Sequence, residues 1–186
     1  MSTISHHTAY VIVGMFVPAM KGHGIDVQQQ KWLSLTYKMQ KICCYAQTQL
    51  GHGFNIQGLE TTTTFDHKAD ESVVHTLTLT LSEWCPDGLG KLSTHAVVYA
   101  CHYNGKDHGV HGFIVQLQNL EDHTLSRIIL GHTESKFGNG ACNTMDNGML
   151  IFQHLHIPRD QILMMYVAIQ LKYTYLFCIY TLSFLN

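Results

Sequence analysis

The chain has 186 residues and a formal net charge of −2 at pH 7, with 46% hydrophobic and 13% charged residues. Its mean hydropathy is +0.02. This balance excludes a disordered, highly charged tail protein, which needs a high net charge and few apolar residues. It also excludes a strongly basic nucleic-acid-binding protein, so we expect no nucleic-acid partner. The length allows one domain with a substantial core.

Cysteine and histidine are the candidate metal-binding residue types, with six and 14 copies. The cysteines never occur as C-x-x-C, which argues against a zinc ribbon. Because no secretory signal opens the chain, we expect free, mostly buried thiols in a reducing compartment. The pairs His108/His111 and His154/His156 are candidate ligands, but no carboxylate or cysteine near them offers a clear third ligand. Scattered surface histidines and no metal site are therefore the preferred interpretation.

The first predicted element is a helix from Asp26 to about Ile42. Asp26 is a plausible N-cap, and Gln29 three residues later completes a pair that resembles a capping box. Apolar residues then recur at steps of three and four, which places them on one helix face. These residues are Trp32, Leu35, Met39 and Ile42.

From Leu59 onward the sequence predicts β structure. The clearest alternation is His75–Leu81, H-T-L-T-L-T-L, which predicts a strand with its leucines facing inward. An Asn104-Gly105 pair predicts a hairpin turn. The other predicted strands are Thr61–Phe65, His95–Tyr103, Gly112–Leu117 and Met149–Leu155. Short turns and the lack of helical periods between strands favour a mainly β, antiparallel barrel or sandwich.

The last segment, Ile162–Leu185, is apolar and long enough to span a bilayer. Gln170 and Lys172 lie near its middle, and a central lysine costs about 2.5–3.5 kcal/mol on insertion. We therefore expect no membrane association through this segment.

Two glycine-containing segments are candidate functional loops: YAQTQLGHG at 45–53 and EWCPDGLGK at 83–91. Each is compatible with an ordinary tight turn. In the functional alternative, Gly51 and Gly53 let the backbone approach a planar ligand, and Thr48 donates a hydrogen bond to it. Taken separately, these segments leave the choice open.

Their combination with further motifs carries a family resemblance. After the first segment come GLETTTTFD, EWCPDGLGKLSTHAVVYA, HGFIVQL, KFGNGACNTMDNG and IPRDQILM, in this order. This series resembles the middle β domain of the acyl-coenzyme A oxidases, most closely the plant peroxisomal type. The upstream stretches GMFVPAMKGHG and QQQKWLSL resemble the end of that family's N-terminal helical domain. The resemblance covers about residues 14–165. It predicts a helical remnant at 1–42, an antiparallel β-barrel domain at 43–165 and an unrelated hydrophobic tail at 166–186.

The resemblance implies FAD as the cofactor and fatty acyl-CoA as the substrate. Family members form trans-2-enoyl-CoA and reduce O₂ to hydrogen peroxide. The family threonine of the first segment, here Thr48, contacts the flavin, as does a glycine at the position of Asp87. Thr48 and Asp87 are therefore the candidate cofactor-binding residues. The family's catalytic glutamate lies in a C-terminal helical domain beyond the resemblance, so no catalytic residue is assigned here. The alternative is an inactive, truncated subunit that acts only as a binding or assembly module.

Departures from the family pattern qualify what the resemblance implies. Asp87 adds bulk and negative charge where the family has glycine, so we expect about tenfold weaker FAD binding. Gln49 replaces an acidic residue, Cys85 replaces a tryptophan, and residues 124–135 differ from the family loop. A homodimer, or pairing with a full-length oxidase, is the expected assembly. The family implies a peroxisomal location, but the terminal S-F-L-N is not an S-K-L-type address, so a cytoplasmic location stays open.

Overall fold

The computed structural model describes residues 12–53, 55, 58–90, 92–103, 105–119, 124–133 and 146–164. A short helical segment, Ile12–Phe16, continues into helix α1 (Val17–His23), and helix α2 (Asp26–Tyr37) follows. The strands are β1 (Cys43–Ala46), β2 (Thr62–Asp66), β3 (Glu71–His75), β4 (Glu83–Asp87), β5 (His95–Tyr103), β6 (Asp107–Gln116), β7 (Ile128–His132), β8 (Asn147–Phe152) and β9 (Leu155–Pro158).

The strands form two sheets. The larger sheet has the order β1-β5-β2-β3-β9, with β6 paired to β5, and the smaller has the order β4-β8-β7. Pairing is antiparallel except where β1 and β2 each run parallel to β5. β1 pairs with the first part of β5, and β2 pairs with the end of β5. Strands β1 and β2 therefore follow one another along the same edge of β5. The expected mainly β fold with a preceding helical segment is confirmed.

Strand β5 is the centre of the core because both of its faces are covered. Ala96, Val98 and Ala100 belong to a cluster between the two sheets, which also contains Phe113, Leu150 and Phe152. Val97 and Tyr99 belong to a second cluster beneath the helices, with Phe16, Met20, Trp32, Ile114 and Leu163. A strand covered on both faces needs a continuous apolar run. This explains the composition of His95–Tyr103, whose predicted bounds match the structure.

Helix α2 is shorter than predicted. It ends at Tyr37, and Met39 adopts a left-handed conformation with φ of 53°. Such a residue terminates a helix and lets the chain turn back, here toward β1. At the other end the N-cap is Ile25, whose backbone N–H donates to Gln28 Oε1 at 3.3 Å. Gln28 therefore has the role that the spacing assigned to Gln29.

The predicted strand His75–Leu81 is wrong beyond its first residue. β3 ends at His75, and the side chains of Leu77 and Leu79 are 72% and 64% exposed. Residues Leu79–Leu81 form a 3₁₀ turn. The backbone carbonyl of Thr80 accepts a hydrogen bond from the Gly51 N–H at 2.8 Å. Thr76 still donates its N–H to the Phe152 carbonyl of β8 at 2.9 Å, but the residues after it form no strand pairing. The alternation of the segment therefore does not correspond to two sheet faces.

The cysteines and histidines that the structure describes give no metal centre. Cys43 and Cys44 are buried free thiols, and Cys101 is a half-buried one. Among the described residues, no group of three or more metal-binding side chains comes together. His154 stacks on His75 at 3.8 Å between ring centroids, and His156 Nδ1 lies 2.9 Å from the Glu71 carboxylate.

The predicted tail at 166–186 lies outside the described residues. Within the part of the chain that is described, no helix is long and apolar enough to cross a bilayer.

Candidate cofactor site

The two glycine-containing segments lie side by side. Thr48 lies two residues after the end of β1, and its backbone carbonyl accepts a hydrogen bond from the Trp84 N–H at 2.8 Å. The Leu50 N–H donates to the Ser82 carbonyl at 3.0 Å. Gln49 and Glu83 form an isolated antiparallel bridge between these contacts. Tertiary structure therefore joins two motifs that are distant in sequence into a single edge, which we call the 48–84 edge.

The side chains at the 48–84 edge suit an amphipathic, planar ligand. Thr48 is exposed, and its hydroxyl has no hydrogen-bond partner among the described residues. Trp84 is half-buried, and Leu50 is 43% exposed. Along this edge, the hydroxyl of Thr48 offers one polar contact, and the side chains of Trp84 and Leu50 offer apolar surface. An isoalloxazine ring, which has a polar and an apolar end, fits this set of residues.

Asp87 is the last residue of β4. It lies opposite Asn147 of β8, after an irregularity in the pairing register between Trp84 and Asp87. The structure places Thr48 and Asp87 on two hydrogen-bonded segments. Their contact with a flavin stays a prediction.

The glycines of the first segment have structural explanations. A Cβ at Gly51 would lie 2.8 Å from Thr80 Cβ and 3.1 Å from the Thr80 carbonyl oxygen, so a larger residue would force the two loops apart. Gly53 has a φ of 56°, which side-chain-bearing residues rarely adopt. Gly51 and Gly53 are therefore needed to form the loop, and neither is by itself evidence for a ligand.

A buried polar cluster lies behind the 48–84 edge. Gln49, Thr61 and Glu83 are 1%, 0% and 0% exposed. Gln49 Nε2 donates to Thr61 Oγ1 and, at 3.2 Å, to Glu83 Oε1. Gln49 Oε1 accepts from the Glu60 N–H at 3.1 Å. Burial raises the pKa of Glu83 from 4.5 to about 8, against an opposing effect of the Gln49 hydrogen bond. In the sequence, Gln49 is distinctive only as a departure from the family, and Glu83 carries no signal.

A cavity of about 200 Å³ lies on the helix-facing side of β5. Its walls include Gln47, which directly precedes Thr48. Tyr45 donates its hydroxyl proton to Gln47 Oε1 at 2.8 Å, and the Tyr99 hydroxyl lies 3.0 Å from His23 Nδ1. The other lining residues are His23, Tyr99, Val110, His111, Gly112 and Leu163. The sequence carried no signal for this cavity, because helix α1 and strands β5 and β6 form it only in the folded chain.

The fold and the sequence of the chain are similar to those of known acyl-CoA oxidases. No protein-family model matches the chain. It is 66% identical over 153 residues to peroxisomal acyl-coenzyme A oxidase 1 of Arabidopsis thaliana, an alignment that covers 81% of this chain and 23% of that protein. The solved structure of Arabidopsis thaliana acyl-CoA oxidase 1 matches with a TM-score of 0.82 and 62% identity, over 85% of this chain and 24% of that one. Caenorhabditis elegans acyl-CoA oxidase-1, solved with FAD and ATP, matches with a TM-score of 0.80 and 41% identity over 85% and 24%.

The chain belongs to the acyl-CoA oxidase family. Its curated relatives are peroxisomal enzymes, in agreement with the resemblance of its motifs. The chain spans about a quarter of the length of the relatives that it matches.

Proposed function

We propose that this chain forms the β-domain side of the FAD site in a peroxisomal fatty acyl-CoA oxidase. The observation that carries the proposal is the exposed hydroxyl of Thr48, which has no partner among the residues that the structure describes and lies on the segment hydrogen-bonded to Trp84, in the motif that resembles the family's flavin-contacting loop. Caenorhabditis elegans acyl-CoA oxidase-1, whose structure was solved with FAD and ATP, supports FAD as the cofactor. Thr48, Trp84 and Leu50 would hold the cofactor, and FAD bound there would supply the redox chemistry: acceptance of a hydride equivalent from the acyl-CoA, with O₂ as the final electron acceptor.

In the proposed site, the residues of this chain bind and orient the flavin. The Thr48 hydroxyl donates a hydrogen bond to the flavin, while Trp84 and Leu50 shield the ring from water. Asp87 lies at the family's glycine position and weakens binding. The cavity beside Gln47 adjoins the same segment and suits part of a substrate. Abstraction of the α proton is assigned to no residue of this chain.

Further parts of the proposal rest on the family alone. Residues 43–165 form the β domain, preceded by a helical remnant at 1–42 and followed by an unrelated tail at 166–186. The assembly is a homodimer or a pairing with a full-length oxidase, and the location is the peroxisome. The relatives support an oxidase and lend no support to a separate assembly module.

The proposed role of Thr48 is tested by titrating the purified chain with FAD and following flavin fluorescence. Thr48→Val removes the hydroxyl and keeps the shape, so we expect about tenfold weaker binding from the loss of one hydrogen bond. Thr64→Val is the matched control, because Thr64 is an exposed threonine on β2. Equal dissociation constants for Thr48→Val and the unaltered chain would contradict the role of Thr48, and absence of FAD binding in every protein would contradict the proposed function.

Asp87→Gly tests the proposed cost of the aspartate in the same titration. Removing bulk and negative charge is expected to tighten FAD binding about tenfold. Asp66→Gly, at an exposed aspartate at the end of β2, controls for the loss of one negative charge. Unchanged affinity in Asp87→Gly would show that the side chain at this position does not affect the flavin.

A further inference from the structure

Glu83 is an acid in the interior, at the centre of the 48–84 edge. It is the first residue of β4, it is 0% exposed, and it pairs with Leu150 of β8 on one side. On the other side it bridges to Gln49. The flanking contacts are the hydrogen bonds from Trp84 N–H to the Thr48 carbonyl and from Leu50 N–H to the Ser82 carbonyl. Glu83 therefore lies between the two segments that the proposed FAD site requires.

The hydrogen bonds of Glu83 suit a neutral acid better than a carboxylate. Oε1 accepts one bond, from Gln49 Nε2 at 3.2 Å, while Oε2 is buried without a partner in the described part of the chain. A buried carboxylate needs several donors or a cation to replace its hydration, and one neutral amide supplies far less. Gln49 has no further N–H to offer, because its second one is donated to Thr61.

The titratable surroundings of Glu83 do not stabilise a negative charge. Across the described residues, neither lysine, arginine nor histidine forms an ion pair with it. The Cys44 thiol of β1 interacts electrostatically with Glu83, and burial raises the pKa of this thiol to about 12, so it stays neutral. On the segment before β2, Glu60 has an exposed side chain that accepts a hydrogen bond from Thr80 at 3.5 Å. It adds no positive charge to the cluster.

We infer that Glu83 is a positioning residue: as a neutral acid it fastens the segment of Thr48 to the strand of Asp87, and loss of its proton loosens the 48–84 edge. The inference rests on the proposed function in so far as this edge holds FAD. The contact itself is a property of the chain without the cofactor. Glu83 does not need to contact the flavin in order to fasten these two segments.

The pH dependence of this contact follows from the difference between closed and open states. Glu83 titrates near its ordinary value of 4.5 when the edge opens to water, and its pKa is raised to about 8 when the edge is closed. At pH values between 4.5 and about 8, Glu83 has lost its proton in the open state and keeps it in the closed state. Opening is therefore favoured about tenfold more with each pH unit between about 5 and 8, and levels off above about 8.

Hydrogen exchange in the purified chain measures this opening directly. The readout is the protection factor of the Trp84 and Leu50 amides between pH 5.5 and 8.5, corrected for the intrinsic exchange rate. We expect protection in the unaltered chain to fall about tenfold per unit up to about pH 8. Glu83→Gln, which keeps the shape and cannot ionise, should remove this slope. Glu60→Gln, the matched control at the neighbouring exposed glutamate, should retain it.

Two exchange results would overturn the inference. One is the same slope in Glu83→Gln as in the unaltered chain. The other is equal protection of these amides and the β5–β6 amides at every pH, because exchange would then require global unfolding and Glu83 would fasten no local contact. Should Glu83→Gln fail to fold, ¹³C-glutamate labelling of the unaltered chain decides: a carboxyl resonance that titrates near pH 8 supports the inference, and titration of every resonance below pH 6 overturns it.

A titration with FAD over the same pH range separates this inference from the proposed function. The expected result is weaker FAD binding as the pH rises, in the unaltered chain but not in Glu83→Gln. If no FAD binds at any pH while the exchange slope depends on Glu83, the proposed cofactor role fails and the fastening of the two segments stands. If FAD binds while the exchange slope is the same in both proteins, the inference about Glu83 fails and the proposed function stands.

Discussion

Strands β5 and β4 differ in what they bury. β5 buries an apolar run on both faces and is paired along both edges. β4 begins with a buried acid, follows a buried serine whose hydroxyl has no partner among the described residues, and pairs with β8 in an irregular register. Departures from good packing and hydrogen bonding are expected where a chain serves a ligand as well as the fold. The comparison therefore indicates that β5 is scaffold and that the proposed FAD site lies at the 48–84 edge, where the packing is less regular.

The largest effect is expected where the scaffold is densest. Phe113 of β6 is 1% exposed and packs in the cluster between the sheets. Phe113→Ala should lower the free energy of unfolding by about 3–5 kcal/mol, through lost burial and the cavity left behind. Urea denaturation measures this loss. Val110→Ala, at a 45%-exposed position on the same strand, is the control and should change stability by less than about 0.5 kcal/mol. Similar losses of unfolding free energy in Phe113→Ala and Val110→Ala would contradict the interpretation of β5 and β6 as the scaffold.

A smaller effect is expected where the helices join the sheets. Gln28 of α2 is 6% exposed, and its Nε2 donates to the Ile162 and Asp160 carbonyls at 2.6 and 2.9 Å. Gln28→Ala leaves these acceptors unpaired and should cost about 2 kcal/mol of unfolding free energy. Gln30→Ala, at an exposed position on the same helix, should leave stability nearly unchanged. A denaturation midpoint shared by the two variants would mean that this contact does not stabilise the helix layer.

The smallest effect is a pH dependence at the scaffold, opposite in sign to that of Glu83. His95 of β5 packs edge-on against Trp32, with 5.3 Å between ring centroids, and burial together with Lys41 lowers the pKa of His95 from 6.5 to about 4. The unfolded chain therefore binds a proton that the folded chain excludes, and the neutral histidine contributes fully above pH 6.5. This stability is lost as the pH falls toward 4.

The free energy of unfolding that neutral His95 contributes should be about 1 kcal/mol smaller at pH 5.5 than at pH 7.5. Because burial also shifts the pKa values of Glu83 and His102, the readout is the change in unfolding free energy between these two pH values in a variant, compared with the same change in the unaltered chain, each measured by urea denaturation. His95→Gln should differ from the unaltered chain by this amount, and His108→Gln, at an exposed position, should not. The same acid sensitivity in His95→Gln and His108→Gln would refute the assignment to His95.

Sequence patterns were reliable where burial and local pattern agree. The run His95–Tyr103 matches β5, because its apolar pattern reflects the two surfaces that the strand buries. The alternation after His75 failed for the opposite reason. Leu77 and Leu79 alternate with threonines, but the segment bonds to the loop at Gly51 and exposes both leucines. An alternation with period two shows which side chains would share one face of a strand. A sheet face forms only where a neighbouring strand pairs with that segment.

For the site, the sequence identified the segments of Thr48 and Asp87 but not their contact. Their adjacency depends on hydrogen bonds between a loop after β1 and a strand of the other sheet. Glu83 escaped notice because an acid beside a tryptophan has no distinctive spacing. Its burial is visible only once Gln49, Cys44 and Leu150 surround it.

The sequence by itself determined the family, the mainly β class and the central strand, because ordered motifs and an unbroken apolar run are properties of the chain in one dimension. Only the tertiary structure decided which leucines are exposed, why Gly51 is a glycine, and that a buried acid lies between the two candidate cofactor segments. Burial and hydrogen bonding depend on residues far apart in the chain, so the energy of a group such as Glu83 is set by neighbours that its own segment does not contain.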